Sequence, residues 1–189
     1  MKVIGVCGEI GGGKDTFADY LVRKRGYQKI VMSEVVTEEL KKLNLPINRE
    51  EMQKLSKEYK SKYGSGVWAK SCLEYARKQS MRRVVISGLR DIDEVKLFKR
   101  ELGKEFILVY VTAKPEVRYQ RLIKRGGVKD PKTISAIEAQ EQKEKDIFNL
   151  YSHFNEYSDK RIVNNGMLVE LFAAADLLLK ETGFESKEY

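Results

Sequence analysis

A glycine-rich segment that ends in lysine offers the clearest chemistry in this sequence of 189 residues. A buried strand, residues 2–7, is predicted to precede it and an amphipathic helix to follow it from Thr16, which is the context that a phosphate-binding GxxxxGK loop requires. Backbone N–H groups, the helix N-terminus and the Lys14 ammonium would all face an anion, and side chains at the glycines would block its approach. We therefore predict a loop that holds the phosphates of ATP, formed by Gly8, Glu9, Ile10, Gly11, Gly12, Gly13, Lys14, Asp15 and Thr16.

The residue after Lys14 departs from the usual loop, in which Ser or Thr supplies a hydroxyl ligand for Mg²⁺. Here it is Asp15, and Thr16 comes one step later. A carboxylate is a competent hard ligand for Mg²⁺, directly or through water, so Asp15 and Thr16 are the candidate metal ligands. The alternative is that Asp15 only caps the start of the helix, where the helix dipole favours a negative charge.

Arginines that could hold phosphate oxygens occur in two further places. Arg90 follows the strand predicted at residues 83–87, where its planar guanidinium could grip a phosphate through two hydrogen bonds. Arg121 and Arg125 are four residues apart, so they share one face of a helix that ends at the Gly-Gly pair 126–127. Phosphoryl transfer needs positive charge around the moving group and exclusion of water, which a lid carrying these two arginines would provide. Each arginine taken alone could equally be a solvated surface side chain.

Candidates for contact with a second substrate follow the second predicted strand, residues 28–32. Ser33 and Glu34 come directly after it, and a carboxylate there could orient or deprotonate an attacking hydroxyl, or bind Mg²⁺ through water. Alternatively, Ser33 is only the N-cap of the next helix. Arg49 lies in the helical stretch that follows and could bind an anionic acceptor.

The order of predicted elements indicates an α/β fold in three layers. Strands alternate with helices, which predicts a five-stranded, mainly parallel sheet with helices on both faces. We interpret residues 1–189 as a single domain with a helical acceptor-binding insertion at 34–80 and a lid region at 115–146. Within the lid, Asp130 and Pro131 have the chemistry of a helix start, and the helix that follows is polar on nearly all sides. Ligands of open α/β sheets bind at the C-terminal edge of the strands, where both insertions are expected.

Composition narrows the class of protein. Lys and Arg total 36 against 28 for Asp and Glu, a net charge of +8 that favours anionic partners such as phosphorylated metabolites or nucleic acid. Because the basic residues are dispersed and no nucleic-acid motif is present, nucleic acid is the weaker candidate. No apolar run is long enough for a membrane span and no signal peptide is recognisable, so we expect a cytoplasmic protein. A single histidine, His153, and two unclustered cysteines argue against histidine triads, zinc sites and disulfides.

Five segments together resemble the nucleoside monophosphate kinase group of P-loop proteins, over nearly the whole chain. GEIGGGKDTFADYL is similar to the phosphate loop of phage-type deoxynucleotide monophosphate kinases, some of which also carry Asp after the Lys. INREEMQKLSKEYKSKYGSGVWAK resembles the substrate-side helices of that group and of archaeal adenylate-kinase-related proteins. ISGLRDIDEV and YQRLIKR are similar to the acceptor-phosphate segment and the lid, which implies those roles for Arg90, Arg121 and Arg125.

The fifth segment, RIVNNGMLVEL, resembles the adenine-side loop shared with dephospho-CoA kinases. It implies that ATP is also bound by Asn164, Asn165 and Gly166. One position departs from the pattern: many adenylate kinase relatives have Asp before the Gly of the GxR segment, where it helps to hold Mg²⁺ through water, and this chain has Ser87. Asp15 or Glu34 could supply the missing carboxylate.

The resemblance implies a P-loop kinase fold with ATP and Mg²⁺ as cofactors. The expected reaction is in-line transfer of the γ-phosphoryl group to a (deoxy)nucleoside monophosphate. Dephospho-CoA is the alternative acceptor, and because its acceptor group is a ribose hydroxyl, a base such as Glu34 would matter more. A non-kinase ATP-binding regulator or nucleic-acid-associated ATPase is a different class, which Ser87 and the net charge of +8 favour and the lid arginines oppose.

Overall fold

A computed structural model of the protein describes residues 1–126 and 131–185. Its centre is one sheet in the order β2-β3-β1-β4-β5, and every neighbouring pair runs parallel. This confirms the five-stranded α/β prediction. The strands are β1 (Lys2–Cys7), β2 (Gln28–Val31), β3 (Arg83–Ser87), β4 (Phe106–Thr112) and β5 (Lys160–Val163).

Helices cover both faces of the sheet. The described residues form nine α-helices, and short 3₁₀ turns lie at 103–105 and 151–153. The helices are α1 (Lys14–Arg25), α2 (Met32–Lys42), α3 (Arg49–Tyr63), α4 (Val67–Lys78), α5 (Ile92–Leu102), α6 (Pro115–Arg125), α7 (Ile134–Ile147), α8 (Phe154–Tyr157) and α9 (Leu168–Thr182). No helix among these residues has the length and apolar character needed to cross a bilayer.

The core is divided by the sheet into two apolar clusters. All seven residues of β4 are buried, and they alternate between the faces: Leu108 joins the cluster under α2, α4, α5 and α8, whereas Val109 joins the one under α1 and α9. A strand buried on both faces reads as a continuous apolar run, which is why FILVYVT was recognisable. The two free cysteines, Cys7 and Cys72, are buried as expected for core thiols.

Capping residues set several helix ends as the sequence predicts. Helix α1 ends at Gly26, whose left-handed φ of 65° lets its N–H reach the Leu21 carbonyl. Helix α5 begins with a capping box in which Asp91 and Glu94 satisfy each other's backbone N–H groups. The chain therefore leaves β3 and turns into α5 in one defined geometry.

Two predicted boundaries were wrong. Helix α2 begins at Met32, two residues earlier than an N-cap at Ser33 would place it, so Ser33 lies inside the first turn and is not the N-cap. Helix α7 begins at Ile134 and is capped by Thr133, whose Oγ1 accepts the Ala136 N–H at 3.2 Å. Asp130, expected to cap that helix, lies outside the described residues.

Helix α7 buries part of one face, although its composition predicts a helix that is polar on nearly all sides. Ile137 is fully buried, and Glu141, only 7% exposed, is paired with Arg118 of α6. A carboxylate is rarely buried without such a cation, so this pair explains how a Glu-rich helix packs.

Candidate functional site

The glycine-rich loop joins the end of β1 to the start of α1. Gly12 N–H donates to the Glu9 carbonyl at 3.1 Å, which closes a turn, and Phe17 N–H makes the first helical bond to Gly13 at 2.9 Å. The N–H groups of residues 13–16 precede that ladder, so they remain available to an anion at the positive end of the helix dipole. Gly13 has a φ of 100°, a conformation that favours glycine.

The other loop glycines are required by close packing against neighbouring backbone. A Cβ on Gly11 would lie 2.8 Å from the Arg118 carbonyl, and one on Gly12 would lie 2.8 Å from the Val111 carbonyl. A Cβ on Gly8 would also collide with that Val111 oxygen. The loop is thus pressed against the end of β4 and against α6, so its shape is set before any ligand arrives.

A cavity of about 730 Å³ opens beside this loop. Three separate parts of the chain line it: the loop and first turn of α1, helix α6, and the segment after β5. Of the residues predicted to bind ATP or carry charge, it brings together Ile10, Gly11, Gly13, Lys14, Asp15, Thr16, Arg121, Arg125, Asn164 and Gly166. Its volume lies within the range of about 300–1,000 Å³ typical of small-molecule sites.

Lys14 lies at the start of α1 and lines the cavity. Across the described parts of the chain, its ammonium makes no hydrogen bond and no ion pair. The same holds for the carboxylate of Asp15, which is exposed and does not cap the helix. A cation and a carboxylate without protein partners, side by side at a helix N-terminus, are free to bind a charged ligand.

The residues present fit a magnesium–nucleotide. Asp15 and Thr16 face the same cavity as Lys14, and both offer hard oxygen ligands. No cluster of three or more His, Cys, Asp or Glu side chains suited to a metal occurs within residues 1–126 and 131–185. Mg²⁺ characteristically takes only one or two protein ligands and completes its shell with phosphates and water, so this sparse arrangement suits it.

The segment after β5 is fastened to the phosphate loop. Asn164 is 6% exposed, and its Nδ2 donates to the Gly12 carbonyl at 3.1 Å. Asn165 Oδ1 accepts the Lys114 N–H at 2.8 Å, so this side chain points away from the cavity that its neighbours line. Both asparagine side chains are therefore hydrogen-bonded to backbone groups. The wall of the cavity after β5 is formed by Gly166 and the exposed apolar residues 167–169.

Arg121 bridges helix α6 and that segment. Its Nη1 donates to the Asn164 carbonyl at 2.8 Å and its Nη2 to the Gly166 carbonyl at 3.2 Å. The guanidinium therefore lines the cavity and is hydrogen-bonded there to neutral carbonyl oxygens. A phosphate would bind it more strongly, because its oxygens carry negative charge and can accept two parallel N–H bonds from the guanidinium.

Sequence reasoning missed Arg118 as a residue that shapes the loop. It is 5% exposed, donates to the Ile10 carbonyl at 3.1 Å and to Ala113 at 3.1 Å, and pairs with Glu141. Its spacing of four from buried Leu122 was the available signal, since both must lie on the inner face of α6. Arg118 joins the phosphate loop to helices α6 and α7.

Glu9 is held at the C-terminal end of β4. Thr112 Oγ1 donates to its carboxylate at 2.9 Å, and the Tyr110 hydroxyl donates to the other oxygen. Burial and this carboxylate raise the pKa of Tyr110 to about 12, so the phenol remains a donor at neutral pH. Glu9 thus fixes the loop to the sheet and does not line the cavity.

The predicted acceptor residues lie apart from this cavity. Arg90 is exposed at the end of β3, with its guanidinium 4.7 Å from the centre of the Phe148 ring. Ser33 and Glu34 are exposed in the first turn of α2. The side chain of Arg49 lies outside the described part of the structure, so its acceptor role stays a prediction.

Comparison with known proteins gives the family. The model of a family described as AAA domain matches residues 4–149. A UPF0200 protein of Saccharolobus islandicus, YG5714_1176, is 37% identical over 144 residues, which are 76% of this chain and 75% of the relative. A UPF0200 protein of Methanosarcina mazei is 31% identical over 144 residues, 76% of each chain.

Solved structures give the fold. TT1252 from Thermus thermophilus superposes with a TM-score of 0.63 at 19% identity, over 95% of this chain and 97% of that one. A shikimate kinase from Bacteroides thetaiotaomicron has a TM-score of 0.56 at 14% identity, over 96% and 98% of the chains. A gluconokinase from Sinorhizobium meliloti also gives 0.56 at 14% identity, over 97% and 96%. The chain has a P-loop kinase-like fold and belongs to the AAA-domain family of P-loop NTPases, alongside the archaeal UPF0200 proteins.

Proposed function

We propose that this protein is an ATP-dependent small-molecule kinase that phosphorylates a (deoxy)nucleoside monophosphate. One observation carries the proposal: the phosphate loop, the Lys14 ammonium, which has no partner within residues 1–126 and 131–185, and the Arg121 guanidinium converge on a single cavity. A fixed nest of N–H groups with cations around it is what transfer of a phosphoryl group demands, because charge spreads over its equatorial oxygens. The kinase-like fold supports this assignment.

The donor side would be built from the phosphate loop. ATP would place its phosphates against residues 13–16, with Lys14 as the main positive charge and Asp15 or Thr16 holding the magnesium ion. When bound, the ion neutralises the developing charge on the phosphates. Arg121 would exchange its two carbonyl partners for phosphate oxygens, and Arg125 lines the same cavity.

An acceptor that already carries a phosphate fits the site better than an alcohol. A phosphate oxygen is ionised at neutral pH and attacks without a general base, whereas a ribose hydroxyl needs one. Glu34, the candidate base, is exposed and makes no hydrogen bond within the described residues, so nothing in this structure orients it. This favours a nucleoside monophosphate over dephospho-CoA, with Arg90 as the group that would hold the acceptor phosphate.

A second candidate function is ATP hydrolysis without a small acceptor. It is favoured by Ser87, which is 2% exposed at the end of β3, where many adenylate kinase relatives carry a carboxylate. A buried serine cannot hold a water ligand of magnesium as a carboxylate does, and this would slow transfer. The protein would then use ATP to change conformation or bind a partner.

The test measures ADP formation from Mg·ATP, alone and with AMP, GMP, CMP, UMP, dTMP or dephospho-CoA. We expect ADP to appear only with a nucleoside monophosphate and in equal amount with the phosphorylated product. Lys14→Ala should reduce turnover by roughly a hundredfold or more, whereas Lys24→Ala, an exposed lysine on the same helix, should not. Equal ADP formation with and without acceptors would instead establish the ATPase. A folded Lys14→Ala protein with unchanged turnover would exclude catalysis at this loop.

A further inference from the structure

A partly buried cluster of charge joins helix α3 to the segment that carries Arg90. Lys60 Nζ lies 2.8 Å from Asp91 Oδ2 and 4.0 Å from Glu94 Oε1. The three side chains are 29%, 17% and 6% exposed, so the contact is well screened from water. It spans more than thirty residues of sequence and connects the helical stretch after β2 with the end of β3.

The same carboxylate reaches the backbone of Arg90. Glu94 Oε2 accepts the Arg90 N–H at 3.1 Å and the Asp91 N–H at 3.2 Å. Because Oε1 of this carboxylate faces Lys60, the ammonium and the two amide groups share one negative charge. Burial raises the pKa of Glu94 to about 7, and the Lys60 ammonium opposes that rise, so Lys60 favours the ionised form, whose hydrogen bonds to the two amides are the stronger ones. Lys60 is thereby linked to the position of Arg90 in two steps.

The far side of Arg90 is held by the chain that follows α7. The Arg90 carbonyl accepts the Leu150 N–H at 3.2 Å, and Asn149 Oδ1 accepts the Ile92 N–H at 2.8 Å. The Arg90 guanidinium lies over the Phe148 ring. Arg90 is therefore the meeting point of the helical stretch after β2 and the end of the region after β4.

We propose that Lys60 is a positioning residue for the acceptor: by neutralising Asp91 and Glu94 it holds the backbone of residues 90–91 where the Arg90 guanidinium can bind the acceptor phosphate. The inference rests on the proposed function of Arg90. In this proposal Lys60 acts through Asp91, which engages its ammonium at 2.8 Å, and not by contact with the acceptor. Without Lys60, two neighbouring carboxylates would lack their cation and the hydrogen bonds to residues 90–91 would weaken.

The test compares Lys60→Met, which keeps the apolar stem, with Lys57→Met, an exposed lysine on the same helix. Amide hydrogen exchange at residues 90–91 is measured without ligands, and KM is measured for ATP and for the best acceptor among AMP, GMP, CMP, UMP and dTMP. We expect Lys60→Met to speed exchange at 90–91 and to raise acceptor KM roughly tenfold, with ATP KM unchanged. Lys60→Arg should restore both values, and Lys57→Met should change neither.

Each other outcome has a definite meaning. Faster exchange with unchanged acceptor KM would make Lys60 merely structural and overturn the proposal. A higher acceptor KM with unchanged exchange would place Lys60 on the acceptor itself and also overturn it. If the wild-type protein transfers phosphate to none of these acceptors, the proposed function fails, and the role of Lys60 in acceptor binding fails with it. Transfer by wild type with identical Lys60→Met and Lys57→Met behaviour would remove this inference alone.

Discussion

The side-chain amide of Asn164 donates to the carbonyl oxygen of Gly12 at 3.1 Å, a buried bond between residues more than 150 positions apart. The Asn164 N–H also donates to the Thr112 carbonyl at 2.7 Å. The ends of β4 and β5 and the phosphate loop are therefore clamped by one residue. Asn164 therefore holds the phosphate loop next to the segment after β5, which forms one wall of the cavity.

We expect Asn164→Ala to lower both stability and ATP affinity. The substitution leaves the Gly12 carbonyl buried without its partner, which costs about 1–3 kcal/mol. Asn165→Ala is the matched control, because that asparagine is exposed and holds only the Lys114 N–H. Urea unfolding and ATP titration of both variants provide the measurement. If Asn164→Ala unfolds at the wild-type urea concentration, the clamp does not contribute to stability.

Asp15 should determine the magnesium requirement. Asp15→Ala should need far more Mg²⁺ for half-maximal turnover, whereas Asp15→Ser restores a hydroxyl ligand and should keep substantial activity. The alternative is that Asp15 only stabilises the helix start: it lies in the first turn of α1, where the dipole favours a negative charge, although no side-chain capping bond forms there. Magnesium titrations of these variants and of Thr16→Ala decide the ligand. A normal requirement in Asp15→Ala combined with a raised one in Thr16→Ala would assign the metal to Thr16.

Arg90→Ala should raise KM for the acceptor and leave KM for ATP unchanged. A lost charged hydrogen bond costs about 1.5–3 kcal/mol, which corresponds to tenfold or more in affinity. Arg90 is exposed, so the fold should tolerate the change, and Arg82→Ala at the other end of β3 serves as control. Steady-state kinetics with each substrate varied in turn gives both constants. Weaker ATP binding alone would show that donor and acceptor sides are assigned the wrong way round.

Glu94 should make stability depend on pH. Burial raises its pKa from 4.5 to about 7, although Lys60 opposes the rise. Because the folded protein holds this proton more tightly than the unfolded chain, the contribution of Glu94 is fully present below pH 4.5 and is lost as pH rises through 7. At 1.36 kcal/mol per pKa unit the loss is roughly 3 kcal/mol.

The measurement compares wild type with Glu94→Gln, which keeps an oxygen to accept the N–H groups of residues 90–91. Urea unfolding at several pH values between 4.5 and 8 should show the wild type losing stability relative to this variant. A difference that stays constant over that range would show that Glu94 titrates normally in the folded protein.

The strands and the phosphate loop could be predicted because their signals are local. Residues 8–13 lie between an apolar strand and a helix, and six of the seven residues of FILVYVT are aliphatic or aromatic, so neither needs knowledge of distant residues. The start of α2 was misplaced for a similarly local reason: Ser33 has a strong N-cap preference, yet Val31 takes the cap position in extended conformation without any side-chain bond. Burial of Met32 and Val36 outweighs that preference.

The long-range contacts that shape the site could not be predicted from local sequence signals. Lys60 with Glu94, and Arg118 with Glu141, pair residues that are far apart in sequence, and each alone resembles a surface charge. Asn164 was expected at the nucleotide and lines the cavity, but its bond to the Gly12 carbonyl could not be foreseen from the sequence. Whether a polar side chain forms a hydrogen bond to the backbone depends on which elements pack together, so such a bond is seen only in the folded structure.

The strand order has a consequence for how the protein is made. Strand β2 is bonded only to β3, and β1 only to β3 and β4, among the described residues. A nascent chain still on the ribosome therefore holds two strands, β1 and β2, that cannot pair until Arg83–Ser87 has left the exit tunnel. During that interval β1, the strand that leads into the phosphate loop, lacks both partner strands, and an unpaired apolar strand is prone to aggregation. Fragments that end before residue 83 lack every strand pair found among the described residues, so the support of the phosphate loop by its neighbouring strands is completed late in synthesis.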